Sequence, residues 1–269
     1  MTVAQAGKIR AGIGGWTFEP WRGVFYPKGL KHAEELAYAS RELTSIEINS
    51  TYYSSQKPQT FAKWAAATPE GFVFALKASR FCTNRRVLSE AGESVGKFLN
   101  QGIVELGDRL GPILWQFAPT KAFDPDDFAG FLDLLPKTLE GLALRHCVEV
   151  RHASFVDPAF VKLCRDRDVA ICLSEHQHYP LICDITADFV YARLQMGSDD
   201  IPTGYAPKGL DAWAARLKDY SQGRVPGDLV PLDRTGPAEG PRETFVFFIH
   251  EGKVRAPAAA QELLKRVGK

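Results

Sequence analysis

SIEINSTYY, residues 45–53, is the stretch of sequence that decides the predicted fold. Ile46 and Ile48 alternate with polar residues such as Glu47, so a strand here turns β-branched side chains to one face and polar ones to the other. That strand fits between a helix layer and a polar interior, as in a parallel sheet whose strand ends form a site. Taken alone, the segment also fits an exposed strand with one solvent face.

Seven further strand-like runs extend this pattern, most of them separated by helix-like segments. Strands are predicted at residues 10–14, 45–49, 72–77, 112–117, 146–151, 168–173, 188–194 and 244–250, and helices at 30–41, 58–67, 94–109, 125–135, 157–167, 207–220 and 257–267. Eight strands alternating with helices over about 250 residues predict an α/β fold, a single (β/α)8 TIM-type barrel spanning residues 1–269 as one domain. A doubly wound open sheet is the second choice. The sixth helix is predicted to be irregular, because Tyr179-Pro180 interrupts residues 174–187.

Three loop segments carry their own predictions. Residues 221–243 are rich in Gly and Pro, Pro237 among them, and are expected to form a flexible loop on the amino-terminal face of the barrel. Residues 195–207 lie on the opposite face and are long enough to act as a partial lid. The Gly-rich run 12–15 lacks the third glycine of a dinucleotide-binding turn, so its glycines are read as clearing room for Trp16.

Composition narrows the class of protein. Lys plus Arg (33) nearly balances Asp plus Glu (32), which gives no global basic surface for non-specific nucleic-acid binding. The odd, scattered cysteines fit small buried residues in a reducing compartment rather than disulfides or zinc ligands: Cys82, Cys147, Cys164, Cys172 and Cys183. No leader or membrane-spanning run is recognised, so a cytoplasmic protein without membrane partners is expected.

Polar side chains are predicted to converge at the carboxyl ends of the strands. The inward-facing set includes Glu47, Asn49, Lys77, Gln116, Glu149, Arg151, Tyr191 and Arg193. Its three cations, Lys77, Arg151 and Arg193, outnumber its two carboxylates. The net positive charge favours a small anionic ligand, with the two arginines as bidentate donors. Glu47 or Glu149 would act as the general acid or base, and Lys77 has imine formation as a second possibility. The alternative is a structural polar core whose charges satisfy one another.

Metal binding at the same strand ends and aromatic stacking near the first loops are two further possibilities. Possible oxygen and nitrogen metal ligands occur at Glu149, His152, Glu175, His176, His178 and His250, but without a recognisable spacing motif, so neither metal nor cofactor is predicted. Aromatic residues that could stack a sugar or base are Trp16, Phe18, Trp21, Tyr26, Tyr52 and Tyr53. For Trp21 and Tyr26 local packing is preferred, and Trp64, Trp115 and Trp213 are assigned to the helix layer.

Ordered motifs along nearly the whole chain closely resemble the YecE-like family, also called domain of unknown function 72. They are Gly12-Ile-Gly14-Gly15-Trp16, Trp21-Arg22-Gly23-Val24-Phe25-Tyr26-Pro27, Glu47-Ile-Asn49-Ser-Thr51-Tyr52-Tyr53, Lys77-Ala-Ser-Arg80, Gly111-Pro112-Ile113-Leu114-Trp115-Gln116, Glu149-Val-Arg151-His152 and Tyr191-Ala-Arg193. The resemblance implies a TIM-type barrel and brings no settled reaction. At the level of fold alone it is similar to apurinic endonucleases and sugar isomerases. The family usually has histidines at positions where this chain has Asn84 and Gln195, and paired asparagines where it has Ile249-His250.

These observations lead to three functional hypotheses. The first is a barrel protein that binds a small anionic or phosphorylated ligand, such as a sugar phosphate or nucleotide fragment, with a glutamate moving a proton. The second is a non-catalytic nucleic-acid or nucleotide binding module, and the third is a metal-dependent phosphodiesterase. Predicted catalytic residues are Glu47, Lys77 and Glu149; predicted ligand-binding residues are Trp16, Asn49, Tyr52, Arg80, Gln116, Arg151, His152, Tyr191 and Arg193. Replacing Arg193 by Ala is expected to abolish binding without unfolding the barrel.

Overall fold

The strands of a computed structural model, which describes residues 6–236 and 240–268, close into a parallel barrel. The strands are β1 (Ile9–Gly14), β2 (Ser45–Ile48), β3 (Val73–Lys77), β4 (Leu110–Gln116), β5 (Thr138–Leu139), β6 (Leu142–Ala143), β7 (His146–Glu149), β8 (Ala170–Glu175), β9 (Phe189–Met196) and β10 (Glu243–Glu251). The barrel order is β1-β10-β9-β8-β7-β4-β3-β2, and β5 and β6 form a separate two-stranded antiparallel sheet. The predicted TIM-type barrel is confirmed, and the open doubly wound sheet is wrong.

Helices lie between the barrel strands and around them. They are α1 (Glu35–Glu42), α2 (Ser50–Tyr53), α3 (Pro58–Ala67), α4 (Arg80–Thr83), α5 (Gly92–Leu99), α6 (Pro125–Leu132), α7 (Pro158–Arg165), α8 (Pro207–Ser221) and α9 (Ala256–Val267). The predicted helix at 94–109 is divided, because Gly102 adopts a φ of 104° after α5 and a 3-10 segment, Ile103–Arg109, follows. Residues 176–188 between β8 and β9 contain no helix, so the irregular sixth connection is confirmed.

Local sequence explains where the helices begin. Pro58, Pro125, Pro158 and Pro207 each occupy the first helical turn, where a missing N–H costs nothing. Two of these helices also have an aspartate cap: Asp124 accepts from the backbone N–H of Asp127, and Asp157 accepts from that of Ala159. None of the described helices has the length and apolarity to cross a bilayer.

Two apolar layers follow from the alternation of the strands. Ile46, Ile48 and Trp115 belong to the large core between the barrel and the helices. Cys147 and Phe247 belong to a smaller core inside the barrel. The five cysteines are all buried free thiols, as predicted. The period-two phase of SIEINSTYY therefore sends Glu47 into the barrel interior, where it is fully buried.

Glycines of β1 allow the barrel to close. A Cβ on Gly12 would lie 1.8 Å from the backbone oxygen of Ser45 in the paired strand β2. A Cβ on Gly14 would lie 2.8 Å from Asn49 Nδ2. Gly12 and Gly14 therefore clear room for β2 and Asn49 and not for Trp16.

The segment between α8 and β10 lies at the amino-terminal end of the barrel. In its described part, Asp184 accepts backbone N–H bonds from Leu232 and Asp233 at 2.9 and 2.8 Å. Arg242 N–H donates to the oxygen of Ser221 at the end of α8. Pro237, predicted to belong to this loop, lies outside the described residues. The flexibility of the loop stays a prediction.

Candidate functional site

An ion network at the carboxyl ends of the strands is centred on Arg193. Its Nη1 donates to Glu149 Oε2 at 2.6 Å, while its Nη2 and Nε donate to the two carboxylate oxygens of Glu47 at 3.0 and 3.1 Å. Tyr191 adds a hydroxyl bond to Glu47 at 2.7 Å. One guanidinium therefore joins carboxylates from β2 and β7 across the inside of the barrel.

Glu149 is fixed by several donors in addition to Arg193. Gln116 Nε2 donates to one carboxylate oxygen, and Arg151 Nη2 and the Ser174 hydroxyl approach the other at 3.3 and 3.4 Å. Burial alone would raise the pKa of Glu149, but Arg193, Arg151 and Gln116 outweigh burial and lower the pKa to about 2. Glu149 is therefore a fully ionised structural acceptor at neutral pH.

Lys77 is the cation that this network does not bind. Its Nζ lies 4.1 Å from the centroid of the Tyr52 ring, and it forms no ion pair with a carboxylate of the described residues. Burial lowers the pKa of Lys77 to about 8; Arg193 adds to the lowering, and Glu47 and Glu149 oppose it. At pH 7 the ammonium form still predominates.

A cavity of about 630 Å³ opens above this network at the mouth of the barrel. Several predicted site residues line it: Asn49, Tyr52, Lys77, Gln116, Arg151 and Arg193. Glu47, Glu149 and Tyr191 lie beneath its floor and are fully buried. The two glutamates predicted to move a proton are thus separated from the cavity by the side chains that bind them, and the geometry argues against that catalytic role.

Three predicted ligand-binding residues do not line this mouth cavity, and their role stays a prediction. Trp16 packs edge-on against Trp64 with ring centroids 5.2 Å apart and lines an adjoining cleft, which shares Asn49 and Lys253 with the mouth cavity. Arg80 is exposed and lies over the Phe81 ring. His152 caps a 3-10 turn, with Nδ1 2.7 Å from the Ser154 hydroxyl.

Several residues of the mouth were not predicted from the sequence. They are Gln195, Glu251 and Lys253, whereas Tyr53 was predicted to stack a sugar or base and His250 to be a possible metal ligand. Gln195 continues the inward alternation of β9 two positions after Arg193, and that signal was available. His250 has a φ of 71°, which is unusual for a residue with a side chain and reorients the chain at the end of β10.

The candidate metal ligands have other partners. Glu175 accepts from the Tyr205 hydroxyl and from Trp213 Nε1, both at 2.6 Å. The His176 ring stacks on Tyr179 with centroids 3.8 Å apart. Across residues 6–236 and 240–268, no three His, Cys, Asp or Glu side chains converge in a way that could hold a metal ion.

A larger cavity, about 820 Å³, lies at the opposite end of the barrel near Lys8, Thr44 and Phe72. These residues adjoin the amino-terminal ends of the strands, away from the Arg193 network. Because functional side chains of TIM-type barrels gather at the carboxyl ends, we assign the site to the smaller mouth cavity.

Comparisons with known proteins agree with this architecture. UPF0759 protein YecE of Escherichia coli strain K12 is 28% identical over 150 residues, which cover 55% of this chain and 50% of YecE. The chain thus spans about half the length of that curated relative. The crystal structure of TM1631, a DUF72 family protein from Thermotoga maritima MSB8, superposes with a TM-score of 0.70 at 21% identity, covering 95% of this chain and 96% of that chain.

The structure of SacUVDE shares the fold at greater distance. Its TM-score is 0.57 at 9% identity, covering 97% of this chain and 99% of that chain. Likeness to both solved structures concerns the fold alone. A family model described as protein of unknown function DUF72 matches residues 10–269, which confirms the resemblance found in the motifs. The chain therefore belongs to the DUF72 family of proteins of unknown function.

Proposed function

We propose that the mouth cavity binds a small anionic or phosphorylated ligand through Lys77 and Arg151. The main evidence for this proposal is which cations around Arg193 are paired with a carboxylate and which are not. Its guanidinium pairs with both Glu47 and Glu149, whereas Lys77 pairs with neither. Three cations against two carboxylates leave a surplus positive charge, and it lies where the cavity is lined by Lys77 and Arg151.

Arg151 has unused donors for such a ligand. It makes one hydrogen bond, to Glu149 at 3.3 Å, and its guanidinium carbon lies 4.6 Å from the centroid of the Tyr179 ring. Its Nε is buried and has no partner among the described residues. An arginine that lies over an aromatic ring and keeps free N–H groups is suited to bidentate contact with phosphate or carboxylate.

Lys77 is also the group best suited to move a proton. A general acid or base works best when its pKa lies near the working pH, and the pKa of about 8 meets that condition. Glu149, with a pKa of about 2, does not. This assignment replaces the glutamate-based proton transfer expected from the sequence.

Calorimetric titration with fructose 6-phosphate, and with fructose as the uncharged match, tests the proposal. The phosphate ester should bind while fructose does not, and Lys77→Met and Arg151→Met should each weaken binding at least about tenfold, about 1.4 kcal/mol. Lys63→Met, which removes an exposed lysine of α3, is the matched control. Equal affinities in the parent and both site variants would refute the proposal.

A nucleic-acid ligand is the second candidate, favoured by exposed aromatic rings on this face of the barrel. Tyr53 and Phe81 are 64% and 63% exposed, and Arg80 lies beside Phe81. Bases stack on such rings without sequence preference. Affinity for an oligothymidylate that falls steeply with salt, and that is lost in Tyr53→Ala, would favour this candidate. No binding at low salt would remove it.

A further inference from the structure

A second cavity on the carboxyl-end face of the barrel has an unusual charge balance. It measures about 590 Å³ and is lined by Thr83, Asn84, Arg85, Arg86, Ala118, Thr120 and Lys121. These residues follow β3 and β4, the strands that end in Lys77 and Gln116. We call this set the β3–β4 cavity. No acidic residue is among the described side chains that line it.

The cations of the β3–β4 cavity are incompletely neutralised. Lys121 pairs with Asp127 at 2.9 Å and also donates to the Arg86 carbonyl, which ties the two loops together. Arg85 donates to the Glu90 carbonyl, and neither Arg85 nor Arg86 pairs with a carboxylate of residues 6–236 and 240–268. Two arginines therefore face a cavity that presents no counter-charge.

A buried hydroxyl is the second, independent feature of this cavity. Thr83 is 2% exposed, and its Oγ1 has no hydrogen-bond partner within the described part of the chain. Leaving a buried polar group unpaired costs about 1–3 kcal/mol. Because Thr83 also lines the cavity, a ligand oxygen there would supply the missing partner.

One tyrosine connects the two cavities. Asn84 Nδ2 donates to the Tyr52 hydroxyl at 3.5 Å, and the ring of the same tyrosine lies under Lys77. Tyr52 lines the mouth cavity, whereas Asn84 lines the β3–β4 cavity. The two cavities therefore adjoin one another at the Tyr52–Asn84 contact, so one ligand with two anionic groups would reach both sets of cations.

We propose that the β3–β4 cavity is a phosphate subsite, and that the ligand of this protein carries two phosphate groups, one for each cavity. This inference rests on the proposed function for the mouth, which it extends from a single anion to a bisphosphate. Arg85 and Arg86 would supply the charge, and Thr83 and Asn84 would supply neutral hydrogen bonds.

Matched pairs of ligands test the proposal by calorimetry. Fructose 1,6-bisphosphate is compared with fructose 6-phosphate, and thymidine 3′,5′-bisphosphate with thymidine 5′-monophosphate, so that a sugar and a nucleotide source are distinguished. In at least one pair the bisphosphate should bind at least about tenfold more tightly than the monophosphate. The double variant Arg85→Ala/Arg86→Ala should remove that gain while changing monophosphate affinity less than about twofold. Lys63→Ala serves as the control for loss of charge.

The outcomes separate this inference from the proposed function. Equal affinity for bisphosphate and monophosphate in both pairs would overturn the subsite, as would a gain that survives in the double arginine variant. The single variant Arg86→Ala provides a second test if the double variant misfolds. It should fold normally, because the Arg86 side chain has no ion pair with a described residue. If Lys77→Met leaves monophosphate affinity unchanged, the proposed function of the mouth fails, whereas the arginine-dependent gain still reports on the subsite.

Discussion

Lys77 Nζ lies 4.1 Å from the centroid of the Tyr52 ring, at the floor of the mouth and beside a network in which both buried carboxylates are already bound to Arg193. A cation held by an aromatic face instead of a carboxylate keeps its donors available. It also costs stability, since its charge is removed from water without an opposite charge in contact. The placement is therefore better explained by ligand binding than by folding.

Lys77→Met should stabilise the protein at pH 7 by about 1–3 kcal/mol, because the pKa of Lys77 falls from 10.5 to about 8 in the folded state. Between those values the unfolded chain binds the proton that the folded chain has released. The cost of the lysine is therefore largest below pH 8 and decreases as the pH rises toward 10.5. Urea unfolding of parent and variant from pH 6 to 9.5 measures this. A destabilised variant at pH 7 would show that Lys77 is structural.

Glu149→Gln should destabilise the protein at pH 7 by about 3–5 kcal/mol, because Arg151 would lose its buried carboxylate partner and Arg193 would keep only Glu47. The pKa of Glu149 is about 2 in the folded state against 4.5 unfolded, so its contribution is complete above pH 4.5 and is lost as the pH falls toward 2. The deficit should shrink when unfolding is followed from pH 7 to pH 3. The surface variant Glu93→Gln is the control, and a deficit that does not depend on pH would contradict the ion network.

Arg193→Ala should destabilise the barrel by about 3–5 kcal/mol, because the buried carboxylates of Glu47 and Glu149 would lose their common partner. This differs from the expectation, drawn from the sequence, that the variant stays folded and only loses its ligand. Thermal unfolding of the variant decides between them. A fully stable Arg193→Ala protein would mean that the network contributes nothing to the fold.

Gly12→Ala should cost more than about 4 kcal/mol or prevent folding, because the added Cβ would lie 1.8 Å from the backbone oxygen of Ser45 and β1 and β2 would have to separate. Gly96→Ala is the matched control, since a Cβ there meets nothing within 4 Å and α5 is a helix. Circular dichroism and the yield of folded protein report the difference. A Gly12→Ala protein as stable as the parent would contradict the described pairing of the strands.

Much of the fold was predictable because alternation in buried strands is a local property. All eight barrel strands were found, and the phase of residues 45–53 correctly sent Glu47 inward. The predicted helix at 94–109 is too long. The helical spacing of apolar residues continues past Gly102, but the backbone leaves the helical conformation at that residue. The connection at 176–188 was recognised because proline breaks helices regardless of tertiary context.

The site was most predictable within the strands. Lys77, Gln116 and Arg193 keep the period of their strands, and all three line the mouth. Beyond the strand ends no period fixes the direction of a side chain. Asn49, Tyr52 and Arg151 line the mouth there, whereas Arg80 and His152 lie elsewhere.

The remaining failures depend on geometry that alternation does not encode. Glu251 and Lys253 reach the mouth after the register of β10 shifts between Phe248 and Glu251, which a regular alternation does not reveal. Arg193 forms ion pairs with both glutamates because of distances across the barrel, and no local sequence pattern contains those distances. The choice of Lys77 over the glutamates as the group facing the ligand therefore required the structure.

Titration with sulfate from pH 6 to 9 tests the central claim most directly, because sulfate keeps the same charge throughout this range. If Lys77 and Arg151 bind an anion, the affinity of the parent should fall as the pH rises through about 8, and Lys77→Met should bind weakly with little dependence on pH. Sulfate affinity that is the same at every pH, and the same in parent and variant, would contradict the claim.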